Sequence, residues 1–403
     1  NIAGVAGALA LGGPGAVFWM WVSAFLGMAT KYAEIALSVR LRVRDADGRL
    51  QGGPMYYMRA LGRGGRALAV AFSLFGALAA FGIGNTVQAN TLSGAVCAVA
   101  TALVPAFAPA QAPLRLCVGV MIALVAASAI MGGAARIGRA TERLVPVMSA
   151  LYALAALAVI VLRLPDAVRA LGEIFARAFT PHAALGGAVG AAIRCGMERG
   201  MFSHEAGMGS APIAHALAAG TDPDRQGLLG VFEVFADTIV ICTLTALVIL
   251  ASGARVPYGE AAGAELTIAA FSTAFGGGAA SLLIAVCVAL FALSTLLSWS
   301  LYGERCFAYL TGGRLTNLYK GAFVLAIVLG SVMRLDAVWA LSGTLNALMA
   351  VPNLVAMFPL SGVVARISRG DLAASGKKRE AQSHLTCYTV SAKGEGRCSQ
   401  SGT

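Results

Sequence analysis

The feature that most constrains this chain is a series of long apolar runs separated by short loops. A helix needs roughly 20 mainly apolar residues to cross a bilayer, and nine runs are candidates for full spans: 15–38, 67–104, 115–133, 144–162, 188–217, 227–252, 279–310, 318–332 and 336–366. Only 12% of the residues are charged, against about 25% in soluble domains. The sequence therefore predicts an all-α polytopic membrane protein.

Positive charge is concentrated in alternate loops between these runs. The formal net charge is +11, and the richest loop follows the run 15–38 with Arg40, Arg42, Arg44 and Arg49. Arginines in short loops mark the cytoplasmic side of a membrane protein, whereas a nucleic-acid site would need a basic patch on one face. We therefore expect a multi-pass inner-membrane protein without a nucleic-acid partner.

The two ends of the chain differ from the apolar body. From about Gly370 the residues are mainly Ser, Lys, Glu, Gly and Thr, which predicts a disordered cytoplasmic tail over 367–403 that follows a transmembrane domain over 1–366. A shorter apolar run, 1–11, begins at Asn1 rather than at Met. We expect the chain to be an N-terminally truncated part of a longer protein.

Two segments look wrong for ordinary membrane helices, since each places glycines and polar groups at membrane depth. They cover residues 1–7 and 200–212. Broken helices at matching positions of two halves mark the binding sites of many transporters, because half-helix N-termini attract anions and freed carbonyls coordinate Na⁺. The alternative is a glycine-rich interface between closely packed helices.

Several long motifs closely resemble the bacterial alanine or glycine:cation symporter family. They are found at 1–6, 12–21, 27–34, 52–57, 84–90, 205–215 and 231–238, including Gly-Asn-Thr-Val-Gln-Ala-Asn and Glu-Ala-Gly-Met-Gly-Ser-Ala-Pro-Ile-Ala-His. The resemblance implies a leucine-transporter-type five-plus-five inverted repeat with broken first and sixth core helices. It also implies Na⁺-coupled uptake of alanine or glycine by alternating access.

The resemblance further implies a set of site residues. Substrate contacts are expected from Asn1, Gln88, Phe202, Ser203, Gly207, Met208 and Trp299, and sodium ligands from Ser294 and Thr295. Each has a plainer interpretation: Gln88 as a helix-packing amide, Phe202 as a core residue, and the hydroxyls as bonded back to the preceding helical turn. The family's ion-ligating carbonyls would precede Asn1, so the chain as given is expected not to transport normally.

Four of the ionisable residues that lie within the predicted spans have an expected role. We expect Lys31 and Glu34 to pair across one helical turn. Glu205 is expected to stabilise the break rather than to bind the substrate ammonium, and His204 to stand where the family has an Asn.

The main rival function is that of a proton-coupled amino-acid transporter. An enzyme is disfavoured because neither H-E-x-x-H nor G-x-S-x-G is present. The expected partners are the lipid bilayer and a small amino acid, and the protein is expected to be a monomer.

Overall fold

The computed structural model describes residues 1–45, 48–179, 188–276 and 278–370. These residues are almost entirely helical. The α-helices in chain order are α1 (Ala3–Gly12), α2 (Gly15–Arg40), α3 (Pro54–Tyr57), α4 (Gly62–Phe81), α5 (Val87–Leu103), α6 (Gln111–Ile130), α7 (Gly133–Leu162), α8 (Leu164–Ala178), α9 (Ala188–His204), α10 (Ala211–His215), α11 (Pro223–Val234), α12 (Thr243–Ala251), α13 (Ala264–Phe275), α14 (Gly278–Thr311), α15 (Thr316–Val332) and α16 (Leu335–Ser368).

All nine predicted runs coincide with helices, although not every helix could cross a membrane alone. Within the described ranges, six helical stretches are long and apolar enough to do so: Pro54–Thr101, Gln111–Ile130, Gly133–Leu162, Pro223–Ala251, Ala280–Thr311 and Leu335–Ser368. The other three runs coincide with α2, with the interrupted pair α9 and α10, and with the short helix α15. An all-α membrane protein is therefore confirmed.

The break predicted within 200–212 lies at residues 205–210, between α9 and α10. There the backbone takes positive φ angles at Glu205 (57°), Gly207 (86°) and Gly209 (78°). Two further irregularities were not predicted, namely π-helical segments at Gly82–Thr86 and Phe235–Cys242. These join α4 to α5 and α11 to α12 without ending the helix.

Helix α2 lies at the centre of one side of the bundle, where it packs on α9 and α11. Glycines make this close approach feasible. A Cβ atom added at Gly196 would lie 2.3 Å from the Ala16 carbonyl oxygen, and one added at Gly200 would lie 2.9 Å from Ser23 Cβ. On the other side, α14 packs on α4, α5 and α7. The helix interruption at 205–210 therefore lies between α2 and α14.

The predicted spans do not include the short helices α3, α8 and α13 or the two β-strands. Strand β1 (Val43–Arg44) pairs antiparallel with β2 (Leu50–Gln51) in the loop after α2. Helix α16 continues two residues past the predicted domain boundary at 366, and the predicted tail lies, from residue 371 onward, outside the described residues. The five-plus-five inverted repeat stays a prediction.

Candidate functional site

A cavity of about 810 Å³ lies between α1, α5, α7, α9, α14 and α16. Six of the nine predicted site residues line it: Asn1, Gln88, Phe202, Ser203, Ser294 and Thr295. The sequence placed these residues on four separate segments of the chain. The fold brings them to one hollow, whose volume lies within the range of ligand pockets.

Trp299 lies at a second, adjoining cavity of about 290 Å³. The two cavities share walls that include Ser203, Glu205 and Thr295. The Trp299 side chain is fully buried, and its Nε1 donates a hydrogen bond to Glu205 Oε1 at 2.7 Å. Trp299 therefore lines only the smaller cavity, where its indole N–H binds the Glu205 carboxylate of the shared wall.

Gly207 and Met208 line neither of these two cavities. The Gly207 carbonyl oxygen accepts a hydrogen bond from Asn353 Nδ2 at 2.9 Å, and Met208 is fully buried in the core around α4 and α14. The structure thus places both residues in the support of the interrupted helix.

An oxygen-rich cluster surrounds the hydroxyl of Ser203. Its Oγ lies 2.8 Å from Asn1 Oδ1 and 2.5 Å from Asp237 Oδ2. A serine hydroxyl has one proton, so it can donate to only one of the two acceptors at a time. Hard cations prefer carboxylate, amide and hydroxyl oxygens, and this cluster offers all three at the wall of the cavity.

Asp237 was not among the predicted site residues. It lies in the π-helical segment Phe235–Cys242, which turns its carboxylate toward Ser203 and Thr238. The sequence did contain a signal, because a carboxylate within the apolar run 227–252 is costly in a membrane and therefore points to a functional site. No group of three or more His, Cys, Asp and Glu side chains that could hold a metal ion occurs in the described part of the chain.

The two predicted sodium ligands on α14 both bond back to their own helix. Ser294 Oγ and Thr295 Oγ1 donate to the Phe291 carbonyl oxygen at 2.9 Å and 3.0 Å. This is the geometry of the plainer interpretation, in which membrane-helix hydroxyls satisfy themselves locally. Each hydroxyl oxygen still keeps lone pairs, and both residues line the cavity, so both remain available to a cation.

Gln88 and Phe202 each have a protein partner in addition to their place at the cavity wall. Gln88 Nε2 donates to the Ile83 carbonyl oxygen at 2.9 Å, within the π-helical segment of 82–86. The Phe202 ring lies 4.8 Å from the ring of Trp339, a cavity residue on α16 that sequence reasoning missed. This hydrogen bond uses one N–H of the Gln88 amide, and the amide oxygen can still accept from a ligand.

Glu205 is tied to the wall by two hydrogen bonds. Its Oε2 accepts from Ser210 Oγ at 2.6 Å, and its Oε1 accepts from Trp299 Nε1. The residue adopts a φ of 57°, which is unfavourable for a residue with a Cβ atom. The carboxylate therefore bridges the broken segment and α14, an arrangement that favours the structural role over a substrate contact.

Lys31 caps the end of α9 and differs from its predicted pairing with Glu34. Its Nζ donates to the His204 carbonyl oxygen at 2.8 Å and lies 4.0 Å from Glu233 Oε2. A cation is favourable at the carbonyl end of a helix. His204 has one local and one distant contact: Nδ1 accepts from the Ala206 amide at 3.1 Å, and Nε2 lies 3.1 Å from Ser23 Oγ on α2.

Comparison with known proteins gives a consistent result along the sequence. The sequence model of the Sodium:alanine symporter family matches residues 1–384. The chain is 45% identical over 372 residues to the sodium/alanine symporter AgcS of Methanococcus maripaludis, covering 90% of this chain and 79% of that protein. It is 39% identical over 365 residues to the probable sodium/glutamine symporter GlnT of Bacillus subtilis, covering 90% and 73%.

Comparison of structures identifies the fold. The crystal structure of MhsT in complex with L-phenylalanine superposes with a TM-score of 0.66 at 14% sequence identity, covering 88% of this chain and 84% of that one. At this identity the likeness concerns the arrangement of the helices. The arrangement is that of the leucine-transporter type.

Proposed function

Because the chain belongs to the Sodium:alanine symporter family, we propose that it couples the entry of Na⁺ to the uptake of a small neutral amino acid, alanine or glycine. The family assignment makes it a cation-coupled amino-acid symporter of the inner membrane with several membrane-spanning helices, and not an enzyme. The identity of the ion and of the amino acid is the proposal.

The observation that carries the proposal is the oxygen cluster of Asn1, Ser203 and Asp237 at the wall of the 810 Å³ cavity. A sodium ion at this cluster would compensate the Asp237 carboxylate, which is otherwise expensive inside a membrane protein. Because Ser203 lies one residue before the last residue of α9, the ion would also fix the end of the broken helix.

Coupling follows from the shared position of ion and substrate. If the ion orders the segment after Ser203, it favours the substrate that binds in the same cavity, and the substrate must favour the ion by the same factor. Ser294 and Thr295 provide a second place where a cation could be held. We propose that transport proceeds by alternating access in a monomer.

Bulky aromatic residues at the cavity walls favour a substrate with a small side chain. Phe202 and Trp339 lie on one side of the larger cavity, and Trp299 closes the adjoining one. A pocket of rigid aromatic side chains discriminates by roughly 1–3 kcal/mol per methylene. Because one similar protein is named as a probable glutamine symporter, glutamine is the relevant competitor.

The decisive experiment is uptake of radiolabelled alanine by the full-length protein in proteoliposomes. We expect accumulation with an inward Na⁺ gradient and its loss when choline replaces Na⁺ at fixed pH. Undiminished uptake in choline, driven instead by an inward proton gradient, supports the proton-coupled rival. Excess glycine should compete with labelled alanine, whereas competition by glutamine at lower concentrations than glycine contradicts the proposed substrate class.

Site variants locate the ion within the cavity. We expect Asp237→Asn to raise the Na⁺ concentration for half-maximal uptake by at least about tenfold, which corresponds to about 1.4 kcal/mol. Thr295→Ala should raise it less, because its hydroxyl also bonds to Phe291. Thr344→Ala, at an exposed hydroxyl of α16 that bonds to Ala340 in the same way, is the matched control.

A further inference from the structure

Three arginines at the start of α4 present guanidinium groups that the protein itself does not use. Arg59 lies in the turn before the helix, Arg63 in its first turn and Arg66 just after it. None of the three forms a hydrogen bond or an ion pair with another residue that the structure describes. The first turn of α4 contains no acidic residue, so these charges add to the positive end of the helix dipole.

Other arginines of the same arginine-rich loop are bound within the protein. Arg42 Nη1 donates to the Ala218 carbonyl oxygen at 2.6 Å, and Arg44 Nη1 donates to the Gly48 carbonyl oxygen at 2.8 Å. Positive charge that orients the chain in the membrane is therefore compatible with internal partners. The arginines of α4 differ because all their donors remain available to a ligand.

Two of these arginines converge on a pair of tyrosine rings. Tyr56 of α3 and Tyr309 of α14 lie edge to face with 5.6 Å between their ring centres. The charges of Arg59 and Arg66 both act on Tyr309, and that of Arg59 also acts on Tyr56. A basic cluster is thus formed where α3, α4 and α14 meet, from segments that are far apart in the sequence.

Acidic side chains close to this cluster are engaged elsewhere. Asp45, whose charge also acts on Tyr56, accepts a hydrogen bond from Gln51 Nε2 at 2.9 Å. Glu304, the acidic residue of α14, forms an ion pair with Lys320 at 3.1 Å. The basic cluster therefore keeps a net positive charge.

An apolar stripe leads away from the cluster along the outside of α4. Arg66, Val70, Leu74 and Leu78 follow one another at steps of four residues and so share one face of the helix. The three apolar side chains are 51%, 47% and 45% exposed, whereas α14 and α16 pack on other faces of α4. From Arg66 to Leu78 the helix rises about 18 Å, close to the roughly 15 Å of hydrocarbon in one leaflet.

We propose that Arg59, Arg63 and Arg66 form a docking site for an anionic phospholipid of the cytoplasmic leaflet, with its acyl chains on the apolar stripe of α4. The headgroup phosphate accepts from the guanidinium groups, whose planar fork suits phosphate oxygens. The tyrosine pair lies at headgroup level, where tyrosines are enriched. A zwitterionic lipid binds less well because its choline brings a positive charge to the same arginines. The site does not depend on which ion or amino acid is transported.

The test is equilibrium binding of radiolabelled phosphatidylglycerol to the purified full-length protein in detergent. Unlabelled phosphatidylglycerol and phosphatidylcholine with the same acyl chains are the competitors. We expect wild-type protein to prefer phosphatidylglycerol by about tenfold or more. Arg59→Gln and Arg66→Gln should each weaken its binding by about fivefold, which corresponds to about 1 kcal/mol for each arginine near an anionic lipid.

A matched control distinguishes this site from a general attraction to positive charge. Arg139→Gln, at an exposed arginine of α7 that is also predicted to be cytoplasmic, should keep the wild-type preference. If Arg139→Gln loses as much preference as Arg66→Gln, the assignment to α4 is wrong. The proposal is also overturned if Arg59→Gln, Arg66→Gln and the double variant all keep the wild-type preference.

Two measurements on wild-type protein keep the proposal falsifiable if a variant does not fold. Surface charges are screened by salt, so the preference should fall several-fold between 0.1 M and about 1 M NaCl, and an unchanged preference contradicts a site made of exposed arginines. Glycerol phosphate has the headgroup phosphate without acyl chains and should compete at least about 100-fold less well than phosphatidylglycerol. Equal potency of the two means that the arginines hold a free phosphate, and the lipid site is then wrong.

Discussion

The interruption at 205–210 and the π-helical segment at 82–86 show two ways to disturb a membrane helix. The first ends α9 and begins α10 after a stretch with three positive φ angles. The second widens one turn between α4 and α5 while the helix continues. Each of the two segments contributes a side chain to the lining of the 810 Å³ cavity.

The interruption needs polar partners because it frees backbone groups in a region without water. Asn353 of α16 partners one of these groups and links it to two other side chains. It accepts from the Tyr57 hydroxyl and donates to the Glu34 carboxylate and to the Gly207 carbonyl oxygen. The Glu34 carboxylate, which accepts from Asn353, links α2 to the same network.

The π-helical segment needs less support. Asn85 Nδ2 donates to the Phe323 carbonyl oxygen at 2.6 Å, and Thr86 Oγ1 donates to the Gly82 carbonyl oxygen at 3.2 Å. At Gly84 an added Cβ would lie 2.0 Å from Trp299 Cβ, so the widened turn also lets α14 approach closely. The comparison indicates that breaking a helix is costlier to maintain than widening one.

The largest expected effect is from Gly209→Ala in the interruption. A Cβ atom there would lie 2.5 Å from Pro54 Cγ and 2.8 Å from Phe72 Cε2, at a φ of 78°. We expect a loss of more than about 3 kcal/mol in the free energy of unfolding, measured by chemical denaturation in detergent. Gly207→Ala meets its nearest atom at 3.4 Å and should lose about 1–2 kcal/mol from backbone strain alone. Equal losses for the two variants would contradict this account of the interruption.

The next effect is from Asn353→Ala. Removal of the amide leaves the Gly207 carbonyl oxygen and the Glu34 carboxylate short of a donor, and we expect a loss of about 2–3 kcal/mol together with weaker alanine binding. Ser361→Ala, on the same helix but at an exposed hydroxyl, should be within about 0.5 kcal/mol of wild type. A wild-type unfolding curve for Asn353→Ala means that the interruption does not depend on α16.

A smaller effect is expected in the π-helical segment from Asn85→Ala. It removes one hydrogen bond to Phe323 and leaves one carbonyl oxygen unsatisfied, which should lower the free energy of unfolding by about 1–2 kcal/mol. A loss as large as that of Asn353→Ala would show that the widened turn needs as much support as the broken helix. Denaturation of both variants in the same detergent makes the comparison direct.

The smallest effect is expected from Thr86→Val. The Thr86 hydroxyl bonds only within its own segment, and the methyl group that replaces it has a similar volume. We expect a change below about 0.5 kcal/mol and unaltered alanine uptake in proteoliposomes. A substantial loss of stability or of alanine uptake would show that the Thr86 hydroxyl has a role beyond its own helical segment.

Sequence reasoning located the spans and the break, because both leave local signals. Apolar runs of bilayer length predict helices, and glycines beside polar residues at membrane depth predict an interruption. The π-helical segments leave no comparable signal, since 82–86 and 235–242 continue the helical pattern on both sides. The resemblance of motifs supplied the family and six of the residues that line the cavity.

Other parts of the site could not be predicted along the chain. Asp237 and Ser203 are 34 residues apart, and Arg199 and Trp339 belong to different helices. Which of several charged residues meet depends on the crossing and rotation of packed helices. Lys31 illustrates this, because its neighbour one turn away, Glu34, was the natural partner in sequence, whereas the fold turns Lys31 toward the end of α9.

The sequence by itself determined that this chain spans a membrane, where its helix is interrupted, and to which family it is similar, because hydrophobic length and backbone freedom are properties of short segments. Only the tertiary structure decided which oxygens surround Ser203, that Gly207 and Met208 support the break instead of lining the cavity, and that the Arg199 guanidinium stacks on the Trp339 ring. These are distances between segments far apart in the chain, and they are set by how the helices pack.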